Sequence, residues 1–79
     1  MEGFKTIITE SGNPTAAKYD AETQELFVIF KGGKCAKYPN YSAADYQEFE
    51  KHFDNSQPLS AGKFFRRNIS ELPFEYVEV

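Results

Sequence analysis

Along the chain, apolar residues first alternate and then recur at helical spacing. In ELFVIFK (residues 25–31), Leu26, Val28 and Phe30 fall on one face of an extended chain, and Phe27 and Ile29 on the other. β-branched and aromatic residues fill this run, which makes it the best strand in the sequence. Gly32-Gly33 then supplies a tight turn, and KCAKY (34–38) returns as the next strand, ended by Pro39. Upstream, TAAKY (15–19) reads as extended and DAETQ (20–24) as a polar hairpin connection. FKTII (4–8) reads as a short strand, and ESGNP (10–14) as a loop dense in turn residues. This half is expected to be an antiparallel meander.

After Pro39 the period changes. Ser42 is placed to cap a helix, and Asp45 favours its positive end. Tyr46, Phe49 and Phe53 recur at i, i+3 and i+7, one apolar stripe on a helix over residues 43–53. DNSQP (54–58) breaks it, and a second helix is expected over residues 60–68 with Ser60 as its cap. Pro73 stops helical structure before FEYVEV (74–79), which alternates in part and reads as a last strand.

These elements predict an α+β domain: an antiparallel meander of three to four strands, packed on one face by two helices. With regular turns, Ala17, Tyr19, Ala36 and Tyr38 share the parity of Leu26, Val28 and Phe30 and line the core face. The other face carries Ala16, Lys18, Phe27, Ile29, Cys35 and Lys37, an apolar patch edged by lysines. Such a patch calls for a cover: the N-terminal segment, the FEYVEV tail, a second subunit or a ligand.

Composition narrows the function. Seventy-nine residues make a single small domain, and aromatics at 16% let a short chain bury much area per residue. The formal charge of −3 argues against a binder of long nucleic acid, which is usually basic. The charge is unevenly spread. Residues 1–33 carry three basic and five acidic groups, and residues 34–70 six basic and four acidic. Glu71, Glu75 and Glu78 follow at the end, so a basic surface is confined to the middle of the chain. One cysteine and one histidine supply neither a disulfide nor a Cys/His zinc set, so no metal and no cofactor is expected. No apolar signal core or membrane-length segment is present, and the expected location is cytoplasmic, with no membrane partner. The sequons at Asn40 and Asn68 then read as chance.

The stretch KFFRR (63–67) has two readings. On a helix, Phe65 and Ile69 share a face with Phe64 about 100° away. Both rings then pack on the sheet, while Lys63, Arg66 and Arg67 stay solvated. Alternatively, Lys63, Arg66 and Arg67 form an anion-binding face, since arginine presents a planar fork suited to phosphate. Ser60 and Gly62 at the helix start add a cap, a close backbone approach and N–H groups that attract anions. Catalysis reads poorly. Cys35 suits a small strand residue, and His52 a helix-surface residue four from Glu48. Asp20 and Glu22 sit in a turn, and no Gly-rich nucleotide loop is present.

Taken in order, Tyr19-Asp20, Leu26-Val28-Phe30, Gly33, Tyr38, Tyr46 and Ser60-Gly62-Phe64-Phe65-Ile69 give the chain a family likeness from Ala17 to Ile69. It resembles the KTSC domain family, named for a domain at the C-terminus of some lysyl-tRNA synthetases. It departs from that pattern at Ala36, at Tyr41-Ser42, at Arg66 where an Asn is usual, and in the loop DNSQP. The resemblance implies a small α+β fold of three or four strands with helices on one face. It implies no reaction, its link to a synthetase points to RNA, and free-standing copies, viral ones included, are the most similar in form.

The expectation for function is therefore a non-enzymatic binding module for a phosphate-bearing ligand, an RNA segment or a small nucleotide. A viral protein that sequesters a signalling nucleotide is one form of it. Lys18, Lys37, Lys63, Arg66 and Arg67 would supply charge, with Phe27, Tyr38 and Tyr41 for stacking and Ser60 and Gly62 at the helix start. The alternative is a protein-interaction or self-assembling module, a homo-oligomer included, whose interface is built from Phe27, Ile29 and Cys35.

Overall fold

The computed structural model describes residues 3–9 and 12–78. Of the expected loop 10–14, Glu10 and Ser11 lie outside the described residues, as does Val79 of the expected last strand. Strands β1 (Lys5–Thr6), β2 (Ala16–Asp20), β3 (Glu25–Ile29), β4 (Cys35–Tyr38) and β5 (Glu75–Val77) form one antiparallel sheet in the order β1-β2-β3-β4-β5. Helices α1 (Ala43–Glu50) and α2 (Ala61–Asn68) lie in sequence between β4 and β5.

The α+β meander holds, with five strands rather than three to four. The segments FKTII and FEYVEV, each read as a strand from sequence, both join it as edges: Lys5 pairs with Ala17 on one side, and Cys35 with Val77 on the other. The turn after β3 rests on its glycines. Gly32 and Gly33 take φ of +100° and +93°, which residues with a Cβ rarely adopt. Within it the Gly33 N–H donates to the Phe30 carbonyl, and the Phe30 N–H to that of Lys34.

Both helix starts follow the capping chemistry of the sequence. The Ser42 hydroxyl accepts from the Asp45 N–H at 3.1 Å, and the Ser60 hydroxyl from the Lys63 N–H at 3.3 Å. Helix α1 ends at Glu50, three residues short of the expected Phe53. Tighter turns follow, with His52 N–H on the Phe49 carbonyl and Phe53 N–H on that of Glu50. They still deliver Phe53 to the core, and the Phe53 carbonyl accepts from Ile8 at 2.6 Å, tying the helix end to the segment after β1.

The core sits between the helices and the face of the sheet predicted to receive them. Ala17, Leu26, Val28, Ala36 and Tyr38 meet Tyr46, Phe49, Phe53, Ala61 and Ile69 there. Aromatic rings connect the layers. Phe64 stacks on Phe49 at 5.4 Å, and Phe65 meets Phe30 and Tyr38 edge-on at 5.3 and 6.1 Å. Ring pairs of this geometry add about 0.5–1.5 kcal/mol beyond their buried area. KFFRR is thus a core helix: Phe65 packs on the sheet, Phe64 packs instead against Phe49 and His52 on the helical side, and the cations stay exposed.

Candidate functional site: a basic cleft beside helix α2

A cleft of about 710 Å³ opens between the chain before β2, the end of β3 and helix α2. Asn13 and Pro14 form one wall and Phe30 another. Ser60, Gly62, Lys63, Phe65 and Arg66 of the helix form the third, with Ser70 beyond it. The loop wall is held in place. Pro14 is fully buried, and the Asn13 side-chain carbonyl accepts from the Lys31 N–H at 2.9 Å.

Charge in the cleft is one-sided. Lys63 and Arg66 are its ionic residues, and no acidic side chain lies among the described residues that line it. Neither cation makes an ion pair among the described residues. The helix start itself is largely spoken for. The Gly62 N–H donates to the Thr9 hydroxyl at 3.3 Å, and the Lys63 N–H to its own cap. An anion here would therefore be met by the Lys63 ammonium and the Arg66 guanidinium rather than by those two amides.

The residues nominated from sequence divide into separate places. Ser60, Gly62, Lys63 and Arg66 come together in the cleft, while Arg67 is exposed on α2 but does not line it. Lys18, Phe27 and Lys37 lie on the opposite face of the sheet. There the Lys18 ammonium sits between two rings, 5.0 Å from Phe4 and 5.1 Å from Phe27. Lys37 bridges Glu25 at 3.4 Å and Glu75 at 2.7 Å, and those hydrogen bonds, Glu75 first, raise its pKa.

Tyr38 and Tyr41 correct the expectation of ligand stacking, because both rings are core. Tyr38 is 2% exposed and Tyr41 5%. Tyr38 packs against Phe65 and Phe74, and burial pushes its phenol up to about 12. Burial also raises the pKa of the Tyr41 phenol, and the Tyr41 backbone N–H donates to the Gln24 carbonyl while its backbone carbonyl accepts from the Tyr19 hydroxyl.

The patch around Phe27 is also less open than expected. Ile29 and Cys35 are buried and Phe27 half-buried, although β1 and β5 extend the sheet in plane as its edges. Burial raises the Cys35 thiol pKa, with the Lys18 charge acting against it. His52 lies on the helix side, across the sheet from Cys35, so the two do not form a pair. The sequence placed it on the helix surface, four residues from Glu48. Instead its Nδ1–H donates to the Leu59 carbonyl at 2.6 Å, and its ring packs 4.8 Å from Phe64.

Sequence reasoning missed Asn13, Pro14, Phe30 and Ser70 as parts of the site. Phe30 was visible only as a core residue, and the Asn13-Pro14 loop carried no sign of where it would fold. Among the described residues no cluster suited to a metal ion is present, and no helix is long and apolar enough to cross a membrane.

The model of the KTSC domain matches residues 10–74, which takes in both helices and the three central strands. The chain belongs to the KTSC domain family. The fold agrees. A crystal structure of a KTSC domain protein from Yersinia pestis superposes with a TM-score of 0.72. It covers 96% of this chain and 94% of that one, at 17% sequence identity. No curated protein matches the chain.

Proposed function

We propose that this KTSC domain is a non-enzymatic binding module for a small phosphate-bearing ligand, with a nucleotide as the best fit. The observation that carries the reading is the meeting, in one cleft, of two cations without ion pairs among the described residues and two phenylalanine rings. Lys63 and Arg66 would receive the phosphate, with Arg66 supplying a two-pronged contact. Phe30 and Phe65 offer apolar surface for a base or another flat group. The cleft volume of about 710 Å³ is that of a site for one small molecule. Together with the net charge of −3, it favours a nucleotide over an RNA segment. A protein that holds a nucleotide without converting it lowers the free concentration, which is the sequestering role expected from sequence.

The test is calorimetric titration of the protein with AMP, ADP, adenosine and inorganic phosphate, with mass spectrometry of the ligand recovered afterwards. The reading expects ADP and AMP to bind, adenosine to bind poorly and every ligand to be recovered unchanged. It also expects Lys63→Glu with Arg66→Glu to remove binding while the melting temperature stays near that of the native protein. Equal affinity in that double variant would rule out the cleft, and a chemically altered ligand would make the protein an enzyme. Protein purified from cells and then denatured should release a phosphate-bearing small molecule.

A further inference from the structure

Exposed apolar side chains concentrate at one edge of the sheet. Ile8, Leu72, Phe74 and Tyr76 are the large apolar residues left exposed among those described, and three of them lie within or just before β5. Tyr76 is the most open, at 60%. The Phe74 and Tyr76 rings meet at 5.2 Å, and the Lys34 ammonium lies 5.2 Å from the Tyr76 ring. The opposite edge is guarded differently. Strand β1 is two residues long, and its Lys5 is tied to Glu50 on α1. A short strand with an exposed charge is a common way to block further pairing; β5 is also short, but its Glu75 is paired with Lys37 and a ring pair is left exposed beside it.

The hydrogen-bond phase of the sheet shows which β5 groups are free. In an antiparallel ladder, residues bond alternately to the strand on one side and on the other. The Phe30 N–H donates to the Lys34 carbonyl, so Lys34, Ala36 and Tyr38 bond toward β3 and Cys35 and Lys37 toward β5. Cys35 faces Val77 and Lys37 faces Glu75, so Val77 and Glu75 turn their backbone groups inward to β4. The N–H and C=O of Tyr76 therefore point out of the sheet edge, with those of Phe74 and Glu78 in the same phase.

We infer that β5 is a self-pairing edge: a second copy of this chain adds its own β5 antiparallel, with Tyr76 opposite Tyr76. Three two-fold registers keep the faces of the two sheets in common. Centring on Glu75 sets two glutamates directly opposite each other, which is unfavourable. Centring on Val77 sets Tyr76 opposite Glu78, so the two Tyr76 rings no longer meet. Centring on Tyr76 pairs Tyr76 with Tyr76 and Phe74 with Glu78 in both directions, so every outward residue finds one. It also places Glu75 opposite Val77 rather than opposite another acid, and Glu75 is already paired with Lys37. The two Tyr76 rings then meet, flanked by the Phe74 rings, which covers the apolar surface that the single chain leaves exposed. The contact is isologous and closes at two copies.

Light scattering and sedimentation at about 0.3 mM test this, a concentration suited to the weak association expected of a small interface. A dimer is expected, and Tyr76→Lys or Tyr76→Pro should weaken it at least about tenfold while circular dichroism and melting temperature hold. Ile8→Lys, at the other exposed apolar site, should leave it unchanged. The register has its own readout. Across a hydrogen-bonded antiparallel pair the Cα atoms are about 5.5 Å apart, within reach of a disulfide. Tyr76→Cys should therefore give a covalent dimer on mild oxidation, and Glu75→Cys should not. A monomer at that concentration, an open-ended polymer, or a dimer that Tyr76→Cys fails to cross-link would each overturn the proposal.

Discussion

The cleft beside α2 and the outer face of the sheet both bring cations against phenylalanine, yet they differ in what those cations have left to offer. On the outer face, the Lys18 charge lies between the Phe4 and Phe27 rings, and Lys37 is shared by Glu25 and Glu75. In the cleft, Lys63 and Arg66 have no ionic partner among the described residues. A ligand at the outer face must compete with contacts already made, while a ligand in the cleft displaces solvent. The comparison shows that a cation's value as a binding group depends on its existing partners more than on its neighbours in sequence.

The largest effect should come from raising pH, which attacks the layer between sheet and helices and so the cleft that rests on it. Burial raises the phenols of Tyr38 and Tyr46 to about 12, from an ordinary value near 10. A raised folded-state pKa means that the folded protein holds its proton more tightly than the unfolded chain. The stabilising contribution is complete below pH 10 and is lost as pH rises from there toward 12. Thermal melting followed by circular dichroism should be flat with respect to these groups at neutral pH and fall steeply in that alkaline window. Tyr38→Phe should move the alkaline midpoint upward. A melting temperature that stays level through pH 12 would show that the phenols are not held neutral by the fold.

Charge reversal separates the two regions next. Lys63→Glu with Arg66→Glu should cost ADP affinity about a hundredfold or more, as removal of charge-assisted contacts does. Lys18→Ala, on the outer face, should change affinity by less than about twofold, because its charge lies across the sheet from the cleft and is held between two rings. Titration calorimetry on both variants decides it, and similar losses in the two would erase the distinction.

What the sequence made visible follows from how local each signal is. The parity of Leu26, Val28 and Phe30 could be carried to Ala17, Tyr19, Ala36 and Tyr38 because short turns join those strands. Ser42 and Ser60 announced the two helix starts through bonds made three residues away. The two outer strands were each read as strands, but their pairing with β2 and β4 has no such local mark, which is why the count for the sheet stayed at three to four. The site divides in the same manner. Its helical wall is contiguous in KFFRR and the cap before it, whereas Asn13, Pro14 and Phe30 arrive from distant segments. Tyr38 shows two sequence arguments in conflict. Parity put it in the core and its ring chemistry suggested stacking on a ligand, and packing decided for the core.

Truncating one ring on each side sharpens the comparison in stability rather than affinity. Phe30 packs against the core and meets Phe65 edge-on, while Phe27 is half-buried beside Lys18. Full burial makes Phe→Ala cost about 3–5 kcal/mol, so partial burial should bring Phe30→Ala to about 2 kcal/mol and Phe27→Ala to about 1 kcal/mol. Urea unfolding with an unchanged slope measures both. Phe30→Ala should also weaken ADP binding, and Phe27→Ala should not. An equal affinity loss in the two would place part of the ligand on the outer face.

The smallest effect concerns Lys37, and it tests whether a committed cation matters to anything but its partners. Its hydrogen bonds with Glu75 and Glu25 join β5 and β3 across β4 on the exposed side of the sheet. Exposed ion pairs contribute little, because water and salt screen them. Lys37→Met keeps the aliphatic stem over the sheet and removes the charge. It should barely move the urea midpoint in low salt, and move it less still in high salt. It should leave ADP affinity unchanged, since Lys37 faces away from the cleft. Its clearest signature should be at β5. With Glu75 no longer paired, the acidic edge strand is held less firmly, and amide exchange at Glu75 and Val77, which bond inward to β4, should quicken. If exchange there is unaltered while ligand affinity drops, the outer face and the cleft are coupled through the sheet, and treating them as independent surfaces would be wrong.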